Sequence, residues 1–350
     1  MEPLRRIAAY GICQDESGKF LLVRASAASG TPGVWSLPGG AVKHGENPMD
    51  TVVRETAAET GLSVAVTGLA DVRADVRALP DRGITIHTDR LIYRVRVRGG
   101  ALKERVGQQT DLSRWMSRDD VAHEPLRPFT AVALELLRAS TDLPPDEPPD
   151  LPSFHAVVGP DGLHQAQRFA AYAVASDPAG RVLLTQVAPG YPGAGRWHLP
   201  GGGTDYGEAP APALLRELAE ETGQVGDIGV LLGAASHRDA AQIGPEGYPI
   251  DWHGVRVFYL VRVTKPNKPK VYDVGGSTVG ARWFTPSEIA GLDRESEVTD
   301  VTADALVAAA ALLAGPPTQE QGQSAQEKAA AQGQPVPRSR QHKAQLPKNG

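Results

Sequence analysis

Three carboxylates close together mark where this chain could do chemistry. Glu217, Glu220 and Glu221 follow a glycine-rich run, Leu199-Pro-Gly-Gly-Gly203, and their spacing of three and four residues places them on one face of a helix. Like charges so close repel one another unless a cation sits among them. The cation such a set would select is a hard divalent ion, Mg²⁺ or Mn²⁺, which prefers oxygen ligands and is often shared with substrate phosphates. Such ions neutralise phosphate charge, orient the group and lower the pKa of a bound water, and a nearby carboxylate can then take that proton.

The elements that must position these groups occur twice. Residues 5 to 24 read as two strands joined by the Asp15-Glu-Ser-Gly18 turn. Trp35-Ser-Leu-Pro-Gly-Gly40 then leads into Asn47-Pro48, a helix-start pair, and Gly61 suits the helix end. Aligning Gly40 with Gly202 gives an offset of 162 (202 minus 40), which also takes Ala8-Ala-Tyr10 to Ala170-Ala-Tyr172, Trp35 to Trp197, Glu46 to Glu208, Arg54 to Arg216, Glu55 to Glu217 and Glu59 to Glu221. Downstream, Arg90–Val97 matches Arg256–Val263, each read as a strand with a buried face, and Arg114-Trp115 matches Arg282-Trp283. A terminal helix is expected at 129–139 and at 301–313. A register this constant is the signature of an internal repeat. The first copy carries Ala58 where the second has Glu220, so it keeps two acidic helix residues and should bind metal more weakly.

The pattern Gly202, Glu208 and Arg216-Glu217-Leu218-Ala219-Glu220-Glu221-Thr222-Gly223 resembles the Nudix box at every polar position; the last position, usually aliphatic, is Gln224. Gly40, Glu46, Arg54, Glu55 and Glu59 form a degenerate second example. The resemblance implies an α/β fold: two tandem Nudix α/β/α sandwiches with mixed sheets, with a disordered C-terminal tail beyond them. It also implies hydrolysis of a diphosphate linkage in a nucleoside diphosphate derivative or nucleoside triphosphate. Matched by position, Glu217, Glu220 and Glu221 hold or surround Mg²⁺ (or Mn²⁺), and Glu217 alternatively serves as or orients the base. Gly202 lets the backbone approach the metal. Arg216 pins the helix carboxylates, and Glu208 supports the loop. Relatives often add an acid from a loop outside the box; Asp273 is the candidate in the second copy, and Glu104 or Asp111 in the first. The substrate residues marking ADP-ribose, NADH and diadenosine polyphosphate subfamilies are missing around Arg238, Asp239 and Ala240, which leaves the broad MutT-like group.

The expected boundaries are 1–140 for the degenerate copy, 141–152 for an acidic proline-rich linker, 153–314 for the intact copy and 315–350 for the tail, whose Gln-, Ala-, Ser- and Pro-rich composition lacks apolar periodicity. Ala156-Val-Val158 reads as an edge strand. A net charge of -5 offers no field for general nucleic-acid binding, a single cysteine fits a reducing compartment, and no run approaches the about 18 apolar residues of a membrane span. The expectation is a cytoplasmic protein acting on a small-molecule nucleotide, with no nucleic-acid or membrane partner and no oligomeric state specified. Two rivals differ in class. A nucleotide sensor or scaffold without hydrolysis suits the first copy, and an isomerase of the isopentenyl diphosphate type would require catalysis by Cys13. Cys13 instead reads as a small strand residue, Trp35, Trp197 and Tyr206 as packing residues, and His198 as a surface residue.

Overall fold

In the computed structural model, each repeat places one helix on either side of mixed strands. The structure describes residues 1–103, 109–136, 154–159, 164–243, 249–273 and 275–313. Glu104, the linker 141–152 and the tail from 315 lie outside them. The first repeat contains β1 (Glu2–Cys13), β2 (Phe20–Ala25), β3 (Trp35–Ser36), β4 (Gly39–Ala41), α1 (Pro48–Thr60), β5 (Leu62–Leu79), β6 (Ile84–Gly100), β7 (Thr110–Met116), α2 (Arg118–Ala122) and α3 (Pro128–Ala133). The second contains β8 (Phe154–Val158), β9 (His164–Ser176), β10 (Val182–Val187), β11 (Trp197–His198), β12 (Gly201–Gly203), α4 (Pro210–Thr222), β13 (Asp227–Ile243), β14 (Pro249–Arg262), β15 (Thr278–Phe284), α5 (Pro286–Gly291) and α6 (Asp300–Leu313).

Strand order makes the repeat visible. In the first copy the sheets run β4-β1-β6-β5 and β3-β2-β7, with β1 and β6 parallel. In the second, β9 and β14 are the parallel pair, and β9 also pairs with β10, so the corresponding sheets fuse into one. The edge strand expected at 156–158 is β8, antiparallel to β9.

Period-two alternation along β1 explains the layering. Ile7, Ala9 and Cys13 join the core that includes Val52 of α1, while Ala8 and Tyr10 join the opposite cluster with Phe129 of α3. Strand β6 differs from expectation: residues 87–93 are buried without alternation, because β6 is central to its sheet and covered on both faces. The first terminal helix is also shorter than expected. Glu135 takes a positive φ of 57°, and the Leu136 N–H reaches back to the Ala131 carbonyl at 2.8 Å, closing the last turn.

The two repeats share one apolar cluster, running from Ile7, Val52 and Leu91 to Phe169, Leu214 and Val257, and Met1–Ala309 forms one compact unit. The polar contacts between them follow the repeat offsets. Arg5 Nη1 donates to the Thr204 carbonyl at 2.6 Å, and Gln167, its counterpart, donates to the Val42 carbonyl at 3.5 Å. Tyr206 donates to Thr85 at 2.7 Å, and its counterpart His44 lies 3.2 Å from Asp251, the counterpart of Thr85. An interface in which i meets j while the copy of j meets the copy of i is isologous, as in a two-fold dimer.

Asp251 is the most strongly held acid of this interface. Arg238 reaches it through Nε at 2.8 Å and Nη2 at 2.6 Å, and these bonds, with His44, lower its pKa to about 2 against the opposing effect of burial. A carboxylate depressed from 3.8 contributes stability that is present above pH ~4 and lost as pH falls through about 2. Asp251→Asn should therefore lower unfolding free energy at pH 7 by about 1–2 kcal/mol, allowing for solvent around the half-exposed Arg238, and flatten the acid limb of the stability curve between pH 4 and about 2. Urea denaturation across that range checks it; an unchanged acid limb would refute the assignment.

Candidate active site

The site starts from a glycine that no other residue could replace without displacement. Gly201 sits at φ 137°, and a Cβ there would lie 2.2 Å from the Ala171 carbonyl oxygen. At Gly202 a Cβ would lie 2.6 Å from Glu217 Oε1, so its absence leaves the cradle between loop and helix open. Helix α4 begins with Pro210 in its first turn and ends at Gly223, whose φ of 68° allows its N–H to bond the Ala219 carbonyl.

Around this helix the three glutamates fan outward. Glu221 lies on the buried stripe with Leu214 and Leu218 and is 4% exposed. Its Oε2 accepts from Gly201 N–H at 2.9 Å and its Oε1 from the Thr278 hydroxyl at 2.6 Å. Burial raises its pKa to about 7, with those two bonds opposing and Glu217 and Asp273 adding to the rise. Glu217 is raised as well, first by burial, with Arg216 opposing. Glu220 is the outermost of the three.

Arg216 binds most of the remaining acids. Its Nη1 lies 3.0 Å from Glu217 and 3.1 Å from Glu220, and its Nη2 lies 2.9 Å from Glu208 and 3.7 Å from Asp205. Glu208 also accepts from the Asp205 N–H at 3.0 Å, a bond within the loop that leads into α4. Four carboxylates face one guanidinium, a formal charge of -3 (one minus four). Among the described residues no three His, Cys, Asp or Glu side chains converge as a ready-made metal cluster. Glu217 and Glu220 are drawn to Arg216 while Glu221 turns to the Gly201 loop. An all-oxygen donor set, an open cradle at Gly202 and surplus negative charge nonetheless fit a hard divalent ion held by Glu217, Glu220 and Glu221.

The first repeat preserves the frame and loses the charge. Glu59 accepts from Gly39 N–H and Thr110 at 2.9 Å each, and burial raises its pKa to about 7. Arg54 binds Glu46 and Glu55. A Cβ at Gly40 would meet Glu55 at 3.1 Å. Besides Ala58 for Glu220, Lys43 stands where the second repeat has Asp205, so Lys43, Arg54, Glu46 and Glu55 sum to zero (two minus two).

Other expectations resolve individually. Tyr272 and Asp273 N–H groups bond the Glu220 carbonyl at 2.7 and 3.2 Å, bringing Asp273 to the same end of α4. Asp111 is paired with Arg24 at 2.9 Å. His198 is not a surface residue: it is half-buried, bonds Thr299 at 2.6 Å, and has its pKa lowered to about 3 by burial, Arg256 and Arg168. Trp35 and Trp197 are packing residues, and Tyr206 packs across the repeats. Gln224 is fully buried and bonds Asn267 Oδ1 at 2.5 Å, which accounts for a polar residue at a usually aliphatic position. Sequence reasoning did not single out Thr110 and Thr278, the hydroxyls that hold Glu59 and Glu221. They share the offset of 168 that relates Trp115 to Trp283, so the repeat register contains them.

A glycine-walled acidic helix on an α/β frame, present twice, defines the class of domain. Residues 4–137 and again 166–304 match the NUDIX domain. These segments cover more than half of the chain, and the chain belongs to the NUDIX family. A Mycobacterium tuberculosis protein provisionally named 8-oxo-dGTP diphosphatase 3, in strains CDC 1551 / Oshkosh and ATCC 25618 / H37Rv, is 33% identical over 135 residues, covering 34% of this chain and 60% of that protein. The chain thus spans less than two thirds of these relatives. Among solved structures, the MutT protein of Methanosarcina mazei Go1 is 25% identical, covers 39% of this chain and 94% of its own and has a TM-score of 0.33. The MutT NUDIX hydrolase of Burkholderia pseudomallei is 25% identical, covers 37% and 96%, and has a TM-score of 0.31. No helix among the described residues is long and apolar enough to cross a membrane.

Proposed function

We propose that the second repeat, residues 153–314, is a Mg²⁺-dependent diphosphatase acting on a nucleoside triphosphate or related diphosphate, and that the first repeat, residues 1–140, is weakly active or non-catalytic. The observation that carries this reading is the contrast in charge on matched frames: four acids around Arg216, but only Glu46 and Glu55 around Arg54, with Lys43 at the position matching Asp205 and Ala58 at that matching Glu220. A bound Mg²⁺ would supply charge neutralisation of the diphosphate and acidification of water. This chain's own contribution is to hold the ligand oxygens. Glu221 is anchored by Gly201 and Thr278, and Arg216 binds Glu217 and Glu220 while Glu208 accepts from Arg216 at the other end of the guanidinium. Of the two roles open to Glu217, ligand or base, its raised pKa and its place against the open cradle support the second: it takes a proton from the attacking water while Glu220 and Glu221 hold the ion. The 33%-identical relative's name makes 8-oxo-dGTP the first substrate to try.

The test is a panel of 8-oxo-dGTP, dGTP, ADP-ribose and diadenosine polyphosphate, followed by chromatography of products with Mg²⁺ and with EDTA. Release of a nucleoside monophosphate that stops in EDTA is expected. Binding without product from any of them would replace the hydrolase reading with the sensor reading.

A further inference from the structure

The sheet face of the first repeat that is covered by α3 gathers arginines to an extent its site does not explain. In the register of the sheet, Arg6 and Asp75 both pair with Thr88, Arg90 lies on the next same-facing rung beside Ala8, and Arg77 lies on the rung before, opposite Ile86. Arg127 enters from the start of α3, with Nη2 donating to Thr31 at 2.9 Å. Arg90 is 5% exposed, its guanidinium sits 4.7 Å above the Phe129 ring, and Nη1 is 2.6 Å from Asp75. Its Nε has no hydrogen-bond partner. Arg6 and Arg127 are both lowered in pKa, first by partial loss of water around the guanidinium; neighbouring arginines add to the fall, Arg90 and Arg127 for Arg6 and Arg77 and Arg90 for Arg127, with Tyr10 and Asp75 opposing. Arg127 also opposes, as the smallest of several causes, the rise that burial imposes on the Glu59 pKa.

Four cations against one acid give +3 on this face (four minus one). Repulsion of that size, together with a buried donor left without a partner, weakens the fold unless an anion completes it. The second repeat lacks the surplus. At the matched positions it has Arg168, His237, Asp239, Arg256 and Thr299, the last placed by the equivalent bridges Trp35–Leu126 and Trp197–Val298, which sum to +1 (two minus one). The same repeat that has lost the negative charge needed to hold a divalent ion has therefore gained positive charge of its own. A diphosphate needs cations around it, and guanidinium groups supply them directly, with paired N–H donors that match phosphate oxygens.

We propose that the first repeat carries a metal-independent phosphate site, formed by Arg6, Arg77, Arg90 and Arg127 beside Tyr10 and Phe129, which binds a diphosphate-bearing nucleotide without cleaving it. The site lies on the opposite side of the sheet from Val52, with Arg127 near the C-terminal end of α1, where Glu59 stands. Binding there does not depend on whether the second repeat hydrolyses anything.

The experiment is calorimetric titration of the full chain with inorganic pyrophosphate and with ADP, both in EDTA. Binding that persists in EDTA, weakens at least tenfold in Arg6→Ala and in Arg127→Ala, and is unchanged in Arg168→Ala of the second repeat is the expected result. No binding in EDTA overturns the proposal, and so does binding that Arg168→Ala abolishes while the first-repeat variants retain it. Arg6 and Arg77 are solvent-exposed, so Arg6→Ala and Arg77→Ala report on the site even if Arg127→Ala melts early. Binding of pyrophosphate without ADP would mark a site for a free phosphate anion rather than a nucleotide. Since no turnover is read, failure here and failure of the hydrolase assignment are separate outcomes.

Discussion

Glu217→Gln lowers Mg²⁺-dependent product release by about 10²- to 10⁴-fold, the range associated with loss of a positioned proton acceptor, whereas Glu55→Gln at the matched position of the first repeat changes it by less than about twofold. The glutamine preserves shape and the hydrogen bond with Arg216 Nη1, so the loss reflects charge and basicity rather than packing. Rates measured with dilute metal should fall further in Glu220→Gln, because Glu220 is one of four acids whose charge a single guanidinium leaves uncompensated. Titration of Mn²⁺ followed by its free-ion resonance separates the two effects: Glu217→Gln should leave most of the bound Mn²⁺ in place, and Glu220→Gln should release it. Equal losses of rate from Glu217→Gln and Glu55→Gln would show that both repeats catalyse, and the charge contrast between them would then have no functional meaning.

Legibility in the sequence followed locality. The caps of α1, the strands around Asp15–Gly18, the constant offset of 162 and the loss of a carboxylate at Ala58 are short-range patterns, and each corresponds to a feature of the structure. Helical spacing alone put Glu217, Glu220 and Glu221 on one face. It did not distinguish Glu221, held inside by Gly201 and Thr278, from Glu220 at the rim, because that depends on how far the helix is sunk against β12 and β15. The uninterrupted burial of residues 87–93 had the same origin: alternation fails where layers cover both faces of a central strand. His198 reads as a surface residue until Thr299, more than a hundred positions later, is brought against it. Lys43 matches Asp205 in the repeat register, but the register does not carry the 3.7 Å that separates Asp205 from Arg216, and a charge reversal matters in proportion to proximity.

Arg5→Ala should be the most destabilising single change at the junction of the repeats. Arg5 is 8% exposed and Asp89 1%, their side chains lie 3.3 Å apart, and both Arg5 nitrogens also donate to Thr204, at 2.6 Å to its carbonyl and 2.6 Å to its hydroxyl. Removing the guanidinium leaves Asp89 buried with no cation except a protonated His87, whose Nε2 is 3.3 Å away. That histidine is committed elsewhere: its Nδ1 accepts from Gly207 N–H at 3.0 Å, in the loop that carries Asp205 and Glu208. Orphaning one member of a buried pair costs about 3–5 kcal/mol, a large part of the 5–15 kcal/mol that keeps a typical domain folded. Urea denaturation should therefore show a midpoint well below wild type for Arg5→Ala and partial recovery in Arg5→Ala/Asp89→Ala, where no charge is stranded. Recovery would identify the stranded carboxylate as the source of the loss. If the double variant were as unstable as the sum of its parts, the contribution would lie in the bonds to Thr204. In either case the first repeat would be shown to hold the loop of the second in place, and a wild-type midpoint for Arg5→Ala would remove that role.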